Sequence, residues 1–198
     1  PGTPVEIWVD PGTQVYAVLA LQDMGNDDFK QIDEIYEEGY STEGIKEIVS
    51  NKPWLKDLSG GAIDDKAREA QMIWASEKVG GFSVHLRKRP VPIEAGIERV
   101  KTYLHSRIYD EDNSKLFEFR GVKGVPKIFF DKKCRNTIKE FLRYRWPKDL
   151  PRAGLPKTPI KKDDHAMNAM AYGLVDAVGF VPRNRPMPIK RPDKYAHI

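Results

Sequence analysis

Carboxylate side chains stand at three places in this sequence where a strand ends or a helix begins. Asp10 ends one short apolar run, Asp64 ends another, and Asp163 and Asp164 open an amphipathic segment. Strand ends and helix starts meet at one edge of an α/β sheet, so these acids share a small space if the last helix packs beside the first strand. Like charges at such distances raise one another's pKa unless cations neutralise them.

Oxygen ligands alone favour hard divalent cations, which here means Mg²⁺ or Mn²⁺. Two such ions about 3.5–4 Å apart can clamp the attacking and leaving oxygens of an in-line phosphoryl displacement. The basic residues that precede Asp163 could hold the phosphate backbone of a nucleic acid. The acids therefore predict metal-dependent phosphodiester chemistry.

A structural explanation of the same acids is N-terminal capping. The segment after Asp164 has apolar residues at helical spacing, and carboxylates in a first helical turn interact favourably with the helix dipole. Two adjacent acids exceed what one cap needs, and which of Asp163 and Asp164 matters more stays open. Asp65 is the alternative to Asp64, because strand boundaries read from a sequence shift by about two residues; otherwise Asp65 caps the helix that follows.

The composition indicates a water-soluble globular domain. Of the 198 residues, 40% are hydrophobic and 31% charged, and no apolar run approaches the roughly 20 residues that span a bilayer. Cys134 is the single cysteine, which excludes an internal disulfide framework and fits a reducing compartment. The four histidines are scattered, so no Cys/His zinc cluster is expected. Since the first residue is Pro1, we expect a domain excised or processed from a longer protein.

Charge is distributed unevenly along the chain. Residues 22–65 carry twelve acids against four lysines, whereas residues 132–162 carry eleven basic residues against two acids. A basic block of this kind favours a polyanionic partner, although a solvated helix face with a polar linker would have the same composition.

The elements that must position the acids follow from periodicity and turn residues. The patterns predict strands over 5–10, 15–21 and 30–36, a helix from Ser41 or Thr42 to about Asn51, a strand over 60–64, a helix over 66–79, a strand over 82–86, a helix over 93–108, paired strands over 116–119 and 127–130, a helix capped by Asn136 and stopped at Pro147, and a last helix from Asp163. An antiparallel meander followed by parallel strands gives a mixed β-sheet flanked by α-helices, an α/β fold. We expect one domain over 1–181 and a basic, Pro-rich tail over 182–198 that is extended or disordered.

Three motifs give the chain a family resemblance. Asp10-Pro11-Gly12 follows an apolar strand, an acid follows a Gly-containing strand, and residues 161–172 read Lys-Lys-Asp-Asp-His-Ala-Met-Asn-Ala-Met-Ala-Tyr. Together they resemble the nuclease domain of tailed-phage large terminases, over roughly residues 4–180. Residues 134–138 and Tyr144 add to the likeness. One departure is Asn168, where the family often carries an acid. That position is not usually counted among the family's metal ligands, so the nuclease interpretation is kept.

The resemblance implies an RNase H/RuvC-like fold and an endonuclease that cuts concatemeric viral DNA during genome packaging. It implies that Asp10 binds both of two Mg²⁺ or Mn²⁺ ions, that Asp64 is the second-strand ligand, and that Asp163 with Asp164 supply the helix ligands. The products would carry a 5′-phosphate and a 3′-hydroxyl, and a metal rather than a histidine would activate the water.

The implied partners are double-stranded DNA and, in a full-length protein, an N-terminal ATPase motor domain, the small terminase and the portal, in the host-cell cytoplasm and with no membrane. No Gly-x-x-x-x-Gly-Lys-Ser/Thr motif occurs, so we expect no ATP motor within these residues. The candidate DNA contacts are Arg87, Lys88, Arg89, Arg143, Arg145, Lys161 and Lys162.

Three other functions remain open from the residues alone. A Holliday-junction resolvase would share the fold and the acids but prefer four-way junctions. A non-catalytic DNA-binding or motor-docking module would use the acids only as caps. An actin-like ATPase also starts with an Asp-x-Gly strand, but this chain lacks a second glycine-rich phosphate loop and is short for that fold.

Overall fold

A computed structural model describes residues 2–25, 27–104, 117–119, 122–124, 126–147, 159–160 and 162–180. The strands are β1 (Val5–Pro11), β2 (Val15–Asp23), β3 (Phe29–Glu38), β4 (Leu58–Ile63), β5 (Leu86–Lys88), β6 (Phe117–Phe119), β7 (Val122–Gly124) and β8 (Ile128–Phe130). The helices are α1 (Thr42–Ser50), α2 (Arg68–Trp74), α3 (Ile93–Leu104), α4 (Arg135–Arg143) and α5 (His165–Val178), with a 3₁₀ turn at Leu55–Asp57. No helix in these ranges is long and apolar enough to cross a bilayer.

A six-stranded sheet in the order β5-β4-β1-β2-β3-β8 forms the centre of the fold. β2 pairs antiparallel with β1 and β3, whereas the β1–β4, β4–β5 and β3–β8 pairs are parallel. Five strands therefore run in one direction and their carboxyl ends lie at one edge. The predicted antiparallel meander followed by parallel strands is confirmed.

The sheet is buried on both faces. One face packs against α1 and α2 through a cluster that includes Ile45, Val49 and Trp74. The other face packs against α3 and α5 through a cluster that includes Val100, Met170 and Leu174. Because helices cover both faces, the central strands β1 and β2 are almost continuously buried rather than alternating.

Helix α5 lies unusually close to the central strand β1, and a glycine permits this. A Cβ atom built on Gly173 would lie 1.8 Å from the ring of Trp8, far inside any tolerable contact. Trp8 is fully buried under α5. This packing directs the N-terminus of α5 to the end of β1, where Asp10 lies.

The helix predicted over 66–79 is wrong in its second half, since α2 ends at Trp74. The buried Nζ of Lys46, in α1, donates to the carbonyl oxygens of Ile73 and Ser76. A lysine near a helix C-terminus satisfies carbonyls that have no partner within the helix. The strand predicted over 82–86 is also displaced and begins only at Leu86.

Two further predictions of local structure need correction. The segment at 116–119 does not pair with 127–130: β6 pairs with β7, and β8 joins the main sheet beside β3. Helix α4 begins after Cys134 rather than at an Asn136 cap, and it ends at Arg143, before Trp146. Residues 105–108 of the predicted third helix and the predicted tail at 182–198 lie outside the described residues.

Candidate active site

Asp10 is a buried carboxylate at the end of β1, with 7% of its surface exposed. Its Oδ2 lies 3.0 Å from Nδ1 of His165, the first residue of α5. Burial raises the pKa of the Asp10 carboxyl above its ordinary value; the His165 hydrogen bond opposes this shift, and the charges of Asp64 and Asp164 add to it. An acid that is buried among other acids is a group that a cation would stabilise.

Asp64 lies beside Asp10 because of the strand register. The parallel pair β1–β4 matches Val9 with Ile63, and the two acids come next on each strand. The backbone N–H of Lys66 donates to Asp64 Oδ1 at 3.0 Å, and the hydroxyl of Tyr172 lies 3.4 Å from Oδ2. These contacts fix the Asp64 carboxylate at the same sheet edge as Asp10.

The adjacent acids Asp163 and Asp164 face different surroundings. Asp164 is the N-cap residue of α5, yet its side chain caps nothing, and only its carbonyl accepts from Asn168 N–H, at 2.9 Å. Asp164 raises the pKa of Asp10, and it lines a cavity together with Asp64. Asp163 has a left-handed backbone conformation, with φ of 51°, and lines two other cavities that it shares with Arg143.

The capping role predicted as an alternative for Asp163 and Asp164 belongs to Glu140 of α4. Glu140 is buried, accepts the N–H of Met167 at 3.1 Å, and accepts the hydroxyl of Tyr36 at 2.6 Å. It therefore satisfies a donor in the first turn of α5 that has no partner within the helix. With this cap supplied from α4, the Asp164 carboxylate is left for another role.

Asp65 does not cap the next helix either. The N-cap of α2 is Ala67 and no side chain satisfies that helix start. Asp65 instead lines the cavity that contains Asp64 and Asp164.

That cavity, called here the acid cavity, has a volume of about 540 Å³. The hydroxyls of Tyr144 and Tyr172 face an acidic environment; burial and the charge of Asp164 raise the pKa of Tyr144 to about 12. The rest of the wall is mostly apolar. The lining residues are Asp64, Asp65, Lys66, Pro90, Val91, Pro92, Ile93, Tyr144, Pro159, Asp164, Asn168 and Tyr172.

Some of the predicted DNA-contacting residues already interact with other parts of the fold, whereas others are exposed to solvent. Arg87 Nε lies 2.5 Å from Asp176 and its Nη2 lies 2.8 Å from Glu6, while Arg89 donates to the carbonyl oxygen of Val175. The first two contacts hold β5 to β1 and α5, so the Arg87 guanidinium is already engaged. Lys88, Arg143, Arg145 and Lys162 are exposed, and Lys161 lies outside the described residues.

The fit of the acids to a divalent cation depends on their spacing and on their donor atoms. In the described part of the chain, no group of three or more His, Cys, Asp or Glu side chains is close enough to hold an ion as it stands. The donor set is nevertheless suitable, because Asp10 and the two acids whose charges act on it, Asp64 and Asp164, supply only oxygen ligands. The residues fit Mg²⁺ or Mn²⁺ in donor chemistry, and the side chains would have to close around it.

Two supporting residues were missed in the sequence. Tyr172 could have been found, because Asp164, Asn168 and Tyr172 are spaced four apart and form one stripe of α5 that faces the acid cavity. Glu140 could not, because a glutamate in a basic helix is usually solvated and only the tertiary fold brings it to α5.

The fold defines a class. The sheet of six strands, one of them antiparallel to the rest, has helices on both faces. This is the architecture of the RNase H-like fold.

Comparison with known proteins shows which solved structures of that fold class this chain resembles. No family model and no curated protein matches the sequence. The large terminase of the thermophilic bacteriophage D6E, solved with ATP-γ-S and with ADP, matches at TM-scores of 0.62 and 0.60 and 17% identity, over 87% and 88% of this chain. The large terminase (g2p) nuclease domain of bacteriophage SPP1, solved with bound Mn, matches at a TM-score of 0.55 and 16% identity, over 88% of this chain.

The chain spans only 39–40% of the D6E chains but 86% of the SPP1 nuclease domain. At these identities the likeness shows that this chain has the fold of a large-terminase nuclease domain.

Proposed function

We propose that this chain is a metal-dependent DNA endonuclease domain that cuts concatemeric viral DNA during genome packaging. The observation that carries the proposal is the convergence of Asp10, Asp64 and Asp164 from two parallel strands and one helix start. The fold likeness to a nuclease domain solved with bound Mn supports the choice of metal and reaction.

Asp10, Asp64 and Asp164 would hold Mg²⁺ or Mn²⁺, with two ions as the proposed number and Asp163 as an outer, weaker contributor. The ions supply charge neutralisation at the phosphoryl oxygens and a lowered pKa of bound water. The chain's own groups orient these ligands. His165 fixes the Asp10 carboxylate, and Lys66 N–H and Tyr172 fix that of Asp64.

The acid cavity would receive the sugar-phosphate at the scissile bond. Its wall also includes the apolar side chains of Val91 and Ile93. Hydrolysis would leave a 5′-phosphate and a 3′-hydroxyl.

Because the chain spans about two fifths of the D6E terminase, the rest of the assembly is part of the proposal. The full-length protein would carry an N-terminal ATPase motor domain and would act with the small terminase and the portal on double-stranded DNA. The proposed location is the host-cell cytoplasm.

The test is nicking of supercoiled plasmid in EDTA, Mg²⁺ and Mn²⁺ by the parent chain and by Asp10→Asn. The matched control is Asp23→Asn: Asp23 ends β2, which runs in the opposite direction, so it lies at the other sheet edge. We expect metal-dependent nicking and linearisation that Asp10→Asn abolishes and Asp23→Asn retains.

Full activity in Asp10→Asn would overturn the site, and DNA binding without cleavage under any metal would favour a non-catalytic module. Preference for four-way junctions over linear duplex would instead identify a resolvase.

A further inference from the structure

The outer side of α4 carries a row of basic side chains at helical spacing. Arg135, Lys139 and Arg143 are four residues apart and all three are exposed. Four residues of α-helix advance about 6 Å, so the row, called here the α4 stripe, spans about 12 Å. This length matches the rise of three to four nucleotides of one DNA strand, at about 3.4 Å each.

The basic side chains of the α4 stripe form no ion pairs with the residues that the structure describes. Among the residues that the structure describes, no carboxylate lies within ion-pair distance of Arg135, Lys139 or Arg143. Exposed cations without partners keep their full attraction for a polyanion.

The opposite side of α4 is held by hydrogen bonds to β3 and α5. Glu34 of β3 accepts the N–H of Asn136 at 2.7 Å and both the N–H and the hydroxyl of Thr137, at 2.9 and 2.8 Å. At the other end, Glu140 is bound to Tyr36 and to the N–H of Met167 in α5. Three acceptor contacts at its start and two near its end hold α4, and with it the stripe, at a fixed position relative to the acids.

The stripe is also continuous with open space near the acids. Two cavities, of about 240 and 380 Å³, meet at Arg143 and Asp163. Lys139 lines the first together with the acids Glu38 and Glu140, and Arg145 and Lys162 line the second. Together they are called here the basic cleft. The N-terminus of α5 separates the basic cleft, which reaches Asp163, from the acid cavity, which begins at Asp164.

We propose that the α4 stripe and the basic cleft bind the phosphate backbone of the DNA, so that the strand crosses the N-terminus of α5 into the acid cavity. This proposal rests on the proposed function in taking DNA as the ligand. It adds the surface, its residues and the direction of approach.

The test measures binding of a fluorescently labelled duplex by anisotropy in EDTA, over a series of salt concentrations between 50 and 200 mM. Each phosphate contact contributes about 0.9 to the slope of log K against log salt concentration. We expect the variant with Arg135, Lys139 and Arg143 all changed to Ala to lose about 2–3 units of slope and to bind at least about tenfold more weakly at the lowest salt.

The matched control changes Lys30, Lys56 and Lys78 to Ala; all are exposed and lie on β3, the 3₁₀ turn and the segment after α2. It removes the same charge and should keep the parent's slope. Circular dichroism checks that each variant is folded, and the corresponding Gln variants replace any Ala variant that is not.

An unchanged slope in the stripe variant, an equal loss in the control, or no binding by the parent chain would overturn the proposal. Because binding is measured without metal, the two proposals fail separately. Nicking with an unaltered slope keeps the endonuclease and removes the stripe, whereas a reduced slope without nicking in any metal keeps the stripe and removes the endonuclease.

Discussion

The acid cavity and the basic cleft lie on either side of the N-terminus of α5, and their charged groups differ in sign and in exposure to solvent. Beside the acid cavity, Asp10 is buried, and the charges of Asp64 and Asp164 make its own negative charge less favourable. The bases of the cleft are exposed, so water and salt screen part of their mutual repulsion. The first arrangement suits a small, concentrated cation, and the second suits a long polyanion.

Two adjacent residues, Asp163 and Asp164, belong to different regions. Asp163, with its left-handed backbone, faces the basic cleft, and Asp164 faces the acid cavity. Two residues that look equivalent in the sequence thus line different cavities, Asp163 beside Arg143 and Asp164 beside Asp64.

The largest effect is expected when each of the adjacent acids Asp163 and Asp164 is changed alone. We expect Asp164→Asn to reduce metal-dependent nicking by more than about 100-fold, because losing a direct ligand costs more than the 10–100-fold typical of residues that only orient one. Asp163→Asn should stay within about threefold of the parent. Initial rates of plasmid nicking in Mn²⁺ measure both; equal losses would show that the two acids act as one ligand pair.

A smaller effect on nicking is expected from changing Glu140, which lies in α4 and caps the start of α5. Glu140→Ala leaves the N–H of Met167 and the hydroxyl of Tyr36 without their acceptor. Loss of a buried acceptor costs about 1–3 kcal/mol of unfolding free energy, which lowers Tm by about 2–4 °C per kcal/mol in a chain of this size.

Nicking by Glu140→Ala should fall about tenfold, because the start of α5 carries Asp164. Glu140→Gln keeps one carbonyl oxygen that can accept from Met167, so it should recover most of both properties. Thermal melts with nicking rates distinguish the variants; an unchanged Tm in Glu140→Ala would show that the cap is unimportant.

The smallest effect is expected on the reactivity of the Cys134 thiol, which lies at the start of α4. Burial raises the pKa of the Cys134 thiol to about 12, so at pH 8 roughly one molecule in 10⁴ carries the thiolate that reacts with disulfide reagents, compared with roughly a quarter for an ordinary cysteine. Labelling is therefore slow in the folded protein and accelerates as the pH rises toward 12.

Glu34→Ala removes the acceptor at the start of α4, next to Cys134, and should speed labelling several-fold at pH 8. Glu37→Ala, on the opposite face of β3, should leave the labelling rate as in the parent. A parent thiol that reacts at the rate of the unfolded chain would contradict the buried environment of Cys134.

Local patterns predicted the order of the elements and the strand ends that carry Asp10 and Asp64, because alternation and turn residues depend on neighbours in sequence. The extent of α2 and the partner of β8 were wrong for a different reason. Lys46 ends α2 from another helix, and β8 pairs with a strand about a hundred residues earlier. Such tertiary contacts leave no periodic signal.

The site shows the same division. The sequence placed the acids but could not separate Asp163 from Asp164, since the separation depends on one backbone dihedral angle. The alternative that Asp163 and Asp164 only cap α5 could not be weighed against a cap from Glu140, because that cap depends on how α4 and α5 meet.

The contact between Asp10 and His165 joins residues 155 positions apart, and this has a consequence for synthesis of the chain. Ribosomes add about 5–20 residues per second, so the first strands form many seconds before α5 is available. Until α5 docks, Asp164 is absent from the sheet edge and the set of acids is incomplete. Under the proposed function, a nascent or truncated chain that lacks α5 would be unable to cut DNA until that helix has been made.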